Sequence, residues 1–398
     1  AVFGELYRWY LRNPEYRSRV QKLVQSAFAG KPKDIISQSV AKALYGEVSP
    51  YSATRLERFA ACAFAHFLQY GMKLTERVEY EFKPMDMGNV MHEALESFAE
   101  EVRKRGMKWT ELTEQERNEI ADRCLDNIVA DYGNTVLKSS ARNEYMIERT
   151  RRILRRTVWA LQKQLEQGEF QPEGFEVTFG GGRIDRVDIM EDQNKVYVKV
   201  IDYKTGNTSF DLVYLYHGLQ LQLMIYLDGA LRVEQKKYPD KEIIPAGVFY
   251  YNIKDPMIQE KIDADVEAVS AGLMKELKMN GLVQADPELV YRMDSSLGSI
   301  PVAFNKDGSF RKNSSVADRT QFAVLGRYVR TKIEKIRSSI LEGDAEVSPY
   351  ELGKKNACTY CPYMTVCGFD RRLSGYEFRR LKNFSDEELW KAFDREAE

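Results

Sequence analysis

Two successive strands constrain this chain more than any other stretch. The first follows three glycines, Gly180-Gly181-Gly182, and runs Arg183-Ile184-Asp185-Arg186-Val187-Asp188; the second is Val196 to Lys204 (VYVKVIDYK). Side chains alternate across a strand, so Val196, Val198, Val200, Asp202 and Lys204 share one face. That face is apolar for three residues and then ends in an acid and a lysine. A carboxylate and an ammonium two residues apart, at the wet end of a buried strand, can hold a metal and a water beside a phosphate. Asp185 can supply a second carboxylate, because strand parity groups Arg183, Asp185 and Val187 on one face and leaves Asp188 on the other. Taken alone, a D-x-K spacing is common and also fits an edge hairpin with a surface Asp–Lys pair.

The rest of the chain narrows the choice. Its 398 residues predict two or three domains, and 43% hydrophobic content is enough to build real cores. A net charge of −1 gives no global basic excess, so any nucleic-acid contact must come from local patches. No stretch is long and apolar enough to span a membrane, and no signal peptide is read at the start. The first residue is Ala and the pattern begins midway, so a fragment of a larger protein is expected. Five cysteines, an odd number, argue for metal rather than disulfides.

Residues 1–48 are helical in pattern and carry no chemistry. Pro50 and Ser52 open the next element, with Thr54-x-x-Glu57 in the form of a capping box. Leu56, Phe59, Ala60, Ala63 and Phe67 form its stripe, and Cys62 sits within it. Gly88 to Glu96 starts a helix whose stripe is Met91, Leu95, Phe98 and Val102; His92 borders that stripe, one turn from Glu96. Residues 105–170 read as two or three amphipathic helices. Arg149, Arg151, Arg152, Arg155 and Arg156 form a basic run, either a solvated face or a phosphate-tracking patch with Arg151, Arg152 and Arg155 as the DNA-binding candidates. Strands are then predicted over 176–179, 183–190 and 196–203, a helix over 211–232 and a strand over 244–252. In that helix Leu219, Gln222, Tyr226 and Ala230 share a face, whereas Gln220 lies roughly 200° from Gln222. Residues 256–345 read as helical, with a possible hairpin near Asn305–Gly308 and a long amphipathic helix over 319–342. Cys358-x-x-Cys361-x5-Cys367 is a metal signal. Three thiols need a fourth, from Cys62 or Cys124, and such a set suits structural zinc.

Together these motifs resemble PD-(D/E)XK metal-dependent nucleases of the RecB-like family. G-x-x-x-H-x-x-L-E at His92, G-x-I-D ending at Asp185, Asp202-Tyr203-Lys204 and Gln222-x-x-x-Tyr226 occur in the family's order. One distant Cys followed by C-x-x-C-x5-C is similar to the iron–sulfur-containing AddB-type nucleases, as is the stretch Tyr51–Gly71. The likeness runs from about residue 49 to the end. It implies an α/β fold: a restriction-endonuclease-like core, a mixed sheet flanked by helices, with large helical additions and an iron–sulfur staple joining N- and C-terminal parts. The expected segments are 1–48, a remnant or connector; 49–170, helical with the first cluster Cys and the His motif; 171–255, the nuclease core; 256–345, a helical addition; and 346–398, the iron–sulfur loop and tail.

The resemblance further implies Mg²⁺ held by His92, Asp185 and Asp202, with Lys204 acting on the water and Gln222 and Tyr226 positioning Lys204 or the DNA backbone. It implies a [4Fe–4S] cluster on Cys62, Cys358, Cys361 and Cys367, structural Zn²⁺ being the alternative, and leaves Cys124 to pack in a helix. The implied reaction is phosphodiester hydrolysis on a single DNA strand from an unwound duplex end, during resection of broken DNA for recombination. No G-x-x-x-x-G-K-[ST] loop is present, so the motor is expected in a partner subunit of the AddA type, in the cytoplasm and away from membranes. The competing readings are an inactive nuclease fold kept as a DNA-binding module and a stand-alone RecB-like exonuclease.

Overall fold

The computed structural model of the chain describes residues 2–27, 35–46, 52–75, 84–131, 140–180, 182–258 and 265–397. Pro50, Tyr51 and Gly181 lie outside these described residues. The chain divides into two compact units that interleave along the sequence. The first gathers Ala1–Ser49, Arg58–Glu76 and Ile336–Asn383; the second gathers Pro50–Glu57, Arg77–Lys335 and Phe384–Glu398. The units therefore do not follow the serial segments expected from the sequence: residues 1–48, the Cys62 stretch and most of the C-terminal loop fall together.

The second unit is built on a six-stranded sheet in chain order: β1 (Gln171–Phe179), β2 (Gly182–Asp192), β3 (Lys195–Lys204), β4 (Glu242–Asn252), β5 (Asn280–Gln284) and β6 (Val316–Ala317). The first two pairings are antiparallel hairpins, β3 and β4 are parallel, β4 and β5 antiparallel, and β5 and β6 parallel. A parallel pair needs a crossover. Here it is made by the helix Gln222–Lys237, which packs on β3 and β4. Parity along β3 works as the sequence indicates. Tyr197, Ile201 and Tyr203 enter one core with Met91, Leu95 and Phe98 of the helix Pro84–Lys104 and with Ile153, Leu154, Val158 and Leu161 of the helix Ala141–Glu166. Beneath those helices a buried ionic cluster replaces apolar packing: Asp188 takes Arg186 at 2.6 Å and Lys199 at 2.9 Å.

Three sequence expectations are corrected. Residues 256–345 are not helical throughout, because β5 and β6 extend the sheet into this segment. The helix expected over 211–232 is two helices, Leu212–Tyr216 and Gln222–Lys237, broken by a turn that holds Leu219 and Gln220. Leu219 therefore does not share a helical face with Gln222. The physical reason is Gln220: its amide donates to the Ser209 carbonyl at 2.9 Å while its oxygen accepts from Asp211 N at 3.0 Å, pinning the turn. The turn near Asn305–Gly308 is present, flanked by a bridge between Phe304 and Phe310.

The first unit carries the helices Val2–Arg12, Pro14–Ala27 and Gln38–Tyr45, the short helix Ala63–His66 and a small sheet of Tyr350–Leu352, Lys355–Asn356 and Arg379–Arg380. Chain ends far apart in sequence meet in it. Ile35 bridges Asp344, and Tyr363 Oη donates to the Leu74 carbonyl at 2.9 Å. No helix among the described residues is long and apolar enough to cross a membrane.

Candidate active site

The end of β3 delivers Asp202 and Lys204 to one face, as alternation requires. Asp202 is 1% exposed, and its Oδ2 lies 2.6 Å from Lys204 Nζ without an aligned hydrogen bond. Register sets the neighbour. Arg186 opposes Ile201, so the next step along the hairpin carries Asp185 toward Asp202. Asp185 Oδ2 also accepts from Tyr203 N at 2.7 Å, which fixes the carboxylate on the end of β3.

His92 arrives from the helix Pro84–Lys104. Its Nδ1 is 3.3 Å from Asp185 Oδ2 and 3.9 Å from Glu176 Oε1. Ligand atoms of His92, Glu176 and Asp185 all lie within 4.8 Å of one another. Glu176 is a residue the sequence reading missed. It sits on β1 between Phe175 and Val177, whose partners on β2 are Arg186 and Ile184, so it faces Asp185 across the hairpin. Its backbone is left-handed, φ +49°, rare for a side chain of this kind. Its side chain is buried and also pairs with Arg183. The signal that could have found it is the hairpin register, which places one acid opposite another.

Lys204 Nζ donates to Gln222 Oε1 at 2.8 Å, and Gln222 Nε2 donates to Tyr226 Oη at 2.9 Å. The three groups form a chain from strand to helix. Burial holds the Tyr226 phenol protonated. The first residues of this helix are in turn held by Glu57, whose Oε1 accepts from Leu221 N at 2.7 Å and Gln222 N at 3.0 Å.

The electrostatics suit a cation. Burial disfavours a charged His92, but hydrogen bonds to Asp185 and Glu176 and the charges of Asp185 and Asp202 outweigh it, so the imidazole is pushed up to about 10. Burial first, then the Asp185 charge, push Asp202 up to about 7 against the pull of Lys204. Two carboxylates, a buried acid oxygen with no aligned donor and an imidazole in reach are a donor set for a hard divalent ion such as Mg²⁺.

The structure does not bring the basic run into this constellation. Arg151 pairs with Asp126 at 2.7 Å, Arg155 Nε with Asp122 at 2.7 Å and Arg152 with Asp255 at 2.7 Å. These side chains line a cleft of about 870 Å³ together with Arg149, Arg156 and Trp159.

Cys62, Cys358, Cys361 and Cys367 line one small cavity of the first unit, walled by Phe64, Val347, Tyr363 and Phe369. Burial first, then the neighbouring sulfurs, push the Cys358 thiol up to about 11, and burial raises Cys62. Phe369 N donates to Cys367 Sγ at 3.5 Å and Arg58 Nη2 to Cys361 Sγ at 3.9 Å. Four converging thiols in an apolar pocket are an all-sulfur donor set, which fits an iron–sulfur cluster or zinc. Cys124 is elsewhere, buried in the helical core beside Leu125 and Ile128.

A family model described as the PD-(D/E)XK nuclease superfamily matches residues 50–368. Among curated proteins, an ATP-dependent helicase/deoxyribonuclease subunit from Lachnoclostridium phytofermentans is 41% identical over 421 residues, covering 100% of this chain and 36% of that protein. Proteins of the same description from Thermoanaerobacter sp. (strain X514) and Clostridium acetobutylicum are each 34% identical, again over 100% of this chain and 36% of their own lengths. The chain thus spans little more than a third of the relatives it matches.

Proposed function

Since the chain belongs to the PD-(D/E)XK nuclease superfamily, we propose that it is a Mg²⁺-dependent deoxyribonuclease cutting phosphodiester bonds in single DNA strands. The observation that carries this reading is the convergence of His92, Asp185 and Asp202 with the Lys204–Gln222–Tyr226 chain at one sheet end. His92, Asp185, Asp202 and the newly found Glu176 would hold the ion. When bound, such an ion acidifies a water and offsets charge on phosphate oxygens.

The protein's own groups supply the rest. Lys204 presents its ammonium beside Asp202, where it orients the attacking water and offsets charge that develops on the phosphate. Gln222 fixes the direction of that ammonium. Tyr226 Oη accepts from Gln222, which leaves its own hydrogen free to donate to a phosphate oxygen. Tyr203 N holds Asp185 so that its carboxylate does not rotate away as the proton balance of the site changes.

The names of the relatives support a setting in a helicase–nuclease complex. We further propose that this complex resects broken DNA ends in the cytoplasm, with a motor subunit of the AddA type as partner. Cys62, Cys358, Cys361 and Cys367 would carry a [4Fe–4S] cluster in a structural role, because hydrolysis transfers no electrons; structural Zn²⁺ is the competing occupant. Arg151, Arg152 and Arg155 would meet DNA only by exchanging their present carboxylate partners for phosphates. The deciding experiment is cleavage of end-labelled single strands with and without Mg²⁺ by the full-length protein and its Lys204→Ala variant. Metal-dependent cleavage that the variant loses supports the reading. Equal cleavage by both overturns the catalytic assignment.

A further inference from the structure

The helix that carries Gln222 and Tyr226 begins without a local cap. Leu221 stands at the cap position with helical backbone, φ −89° and ψ −20°, and an apolar side chain that accepts nothing. Helix starts leave amides unsatisfied, and a Ser, Thr, Asp or Asn at the cap normally serves them. Here the service comes from a carboxylate 164 positions earlier, as Glu57 Oε1 takes both Leu221 N and Gln222 N.

That arrangement is costly. Glu57 is half-buried, and desolvation lifts its carboxyl to about 7 although the two amides and the Lys204 charge pull it down. A cap side chain at position 221 would reach the amides of residues 223 and 224, not those of Leu221 and Gln222, so ordinary helix capping does not account for the acid at this place. What distinguishes this helix start is its second amide. It belongs to Gln222, whose side-chain oxygen takes the Lys204 ammonium at 2.8 Å. Helix ends fray, and a side chain on a first turn is aimed only as well as its backbone is held.

We propose that Glu57 is a positioning residue for strand cleavage: by clamping the Leu221 and Gln222 amides it fixes Gln222, and through Gln222 the Lys204 ammonium. The inference rests on the nuclease reading above. Glu57 touches no reacting atom, and its effect reaches the phosphate through two side chains. Misplacement of a catalytic group by a fraction of an ångström costs rate without costing substrate affinity.

The test is a double-mutant cycle in the full-length protein, with single-strand cleavage, calorimetric Mn²⁺ affinity and Tm as readouts. Glu57→Ala should lower kcat about tenfold and leave KM and the Mn²⁺ affinity within about twofold. Glu57→Gln, which keeps an acceptor oxygen, should recover most of that loss. In a Gln222→Ala background the Glu57→Ala change should cost less than about twofold more, because both act through one ammonium. Should Glu57→Ala fail to fold, Glu57→Asp, which withdraws the oxygen by one methylene, passes through the same cycle under the same criterion. Wild-type protein that cleaves nothing would defeat the nuclease reading and this inference together. Active wild type and inactive Lys204→Ala, combined with an unchanged kcat or with losses that multiply in full across Glu57 and Gln222, would overturn the inference alone.

Discussion

Burial and the Asp185 charge shift Asp202 upward, and, against burial, the surrounding carboxylates shift His92 upward; in both cases the fold favours the protonated form, so both shifts make stability fall as pH rises. The raised acid, moved from 3.8 to about 7, is a group the fold prefers protonated, so ionising it draws stability down as pH rises between those values. Asp202→Asn should therefore raise the Tm of metal-free protein at pH 8, by a stabilisation of roughly 1–3 kcal/mol, and the gain should vanish below pH 4. The same variant should have lost cleavage. A lower Tm at pH 8, or near-normal turnover in Mg²⁺, would contradict the account. His92, moved from 6.5 to about 10, contributes stability that is complete below pH 6.5 and disappears as pH climbs through 10. With its titration pushed above pH 8, His92 is expected to carry a proton in the metal-free protein there and to give it up when it ligates an ion. Calorimetry of Mn²⁺ binding at pH 8 in buffers of different ionisation enthalpy should report about one proton released, and affinity should fall about tenfold per pH unit down to about pH 7 and more steeply below it, where Asp202 also takes up a proton. His92→Ala should bind more weakly and release none; unchanged affinity and proton release would reduce His92 to a helix-border residue.

At the scale of the element, the helix Gln222–Lys237 is seated by a missing side chain. A Cβ on Gly229 would lie 2.6 Å from the Phe179 ring of β1. Alanine adds about 1 kcal/mol of helix propensity at such a position, and the overpacking costs about 1–3 kcal/mol. Gly229→Ala should therefore lower Tm and also slow cleavage, since the shifted helix carries Gln222 and Tyr226. Adding Phe179→Leu should restore both, and a Tm raised by Gly229→Ala alone would refute the packing argument. This element also marks how far the sequence could be read. The period-2 face of β3 was legible because its three valines lead to Asp202 and Lys204, and i, i+4 spacing was enough to pair Gln222 with Tyr226. The break before Gln222 was not, because it depends on Gln220 bonding to Ser209 and Asp211. Nor were β5 and β6, whose five and two residues are too short to show alternation. In β4 a bulge between Pro245 and Gly247 switches parity, so Ile244 and Ala246 share a core with Phe249 and Tyr251.

For the whole molecule the decisive contacts are those of greatest sequence separation, and these carry the least local signal. Glu57 was invisible as a site residue because its partners Leu221 and Gln222 lie 164 and 165 positions on, whereas Glu176 needed only the register of the hairpin it shares with Asp185. The thiols were legible by spacing, but their convergence required the fold. Cys62 and Cys358 are 296 positions apart, and tying them through a metal centre restricts the unfolded chain by ~5 kcal/mol on the loop-closure estimate. Cys62→Ala should empty the centre and lower Tm by more than any substitution at the cleavage site, while Cys124→Ala should leave the metal content unchanged. Iron and acid-labile sulfide rising and falling together would identify the cluster. Colourless protein with stoichiometric zinc would replace iron and keep the tie. Unchanged metal in Cys62→Ala would remove the tie itself.

The interleaving of the two units also sets an order of birth. Ribosomes deliver a chain from its N-terminus, and domains fold as their residues emerge. All six strands of the sheet are synthesised by Ala317, whereas the first unit still awaits Ile336–Asn383. Its opening helices and Cys62 are therefore made long before the half that completes the unit. A nascent chain stalled just after the sheet has emerged would already hold Asp185, Asp202 and Lys204 in register, yet would have a single one of the four thiols that line the small cavity. If the four thiols hold the proposed cluster, its delivery is confined to the last moments of translation or to the time after release.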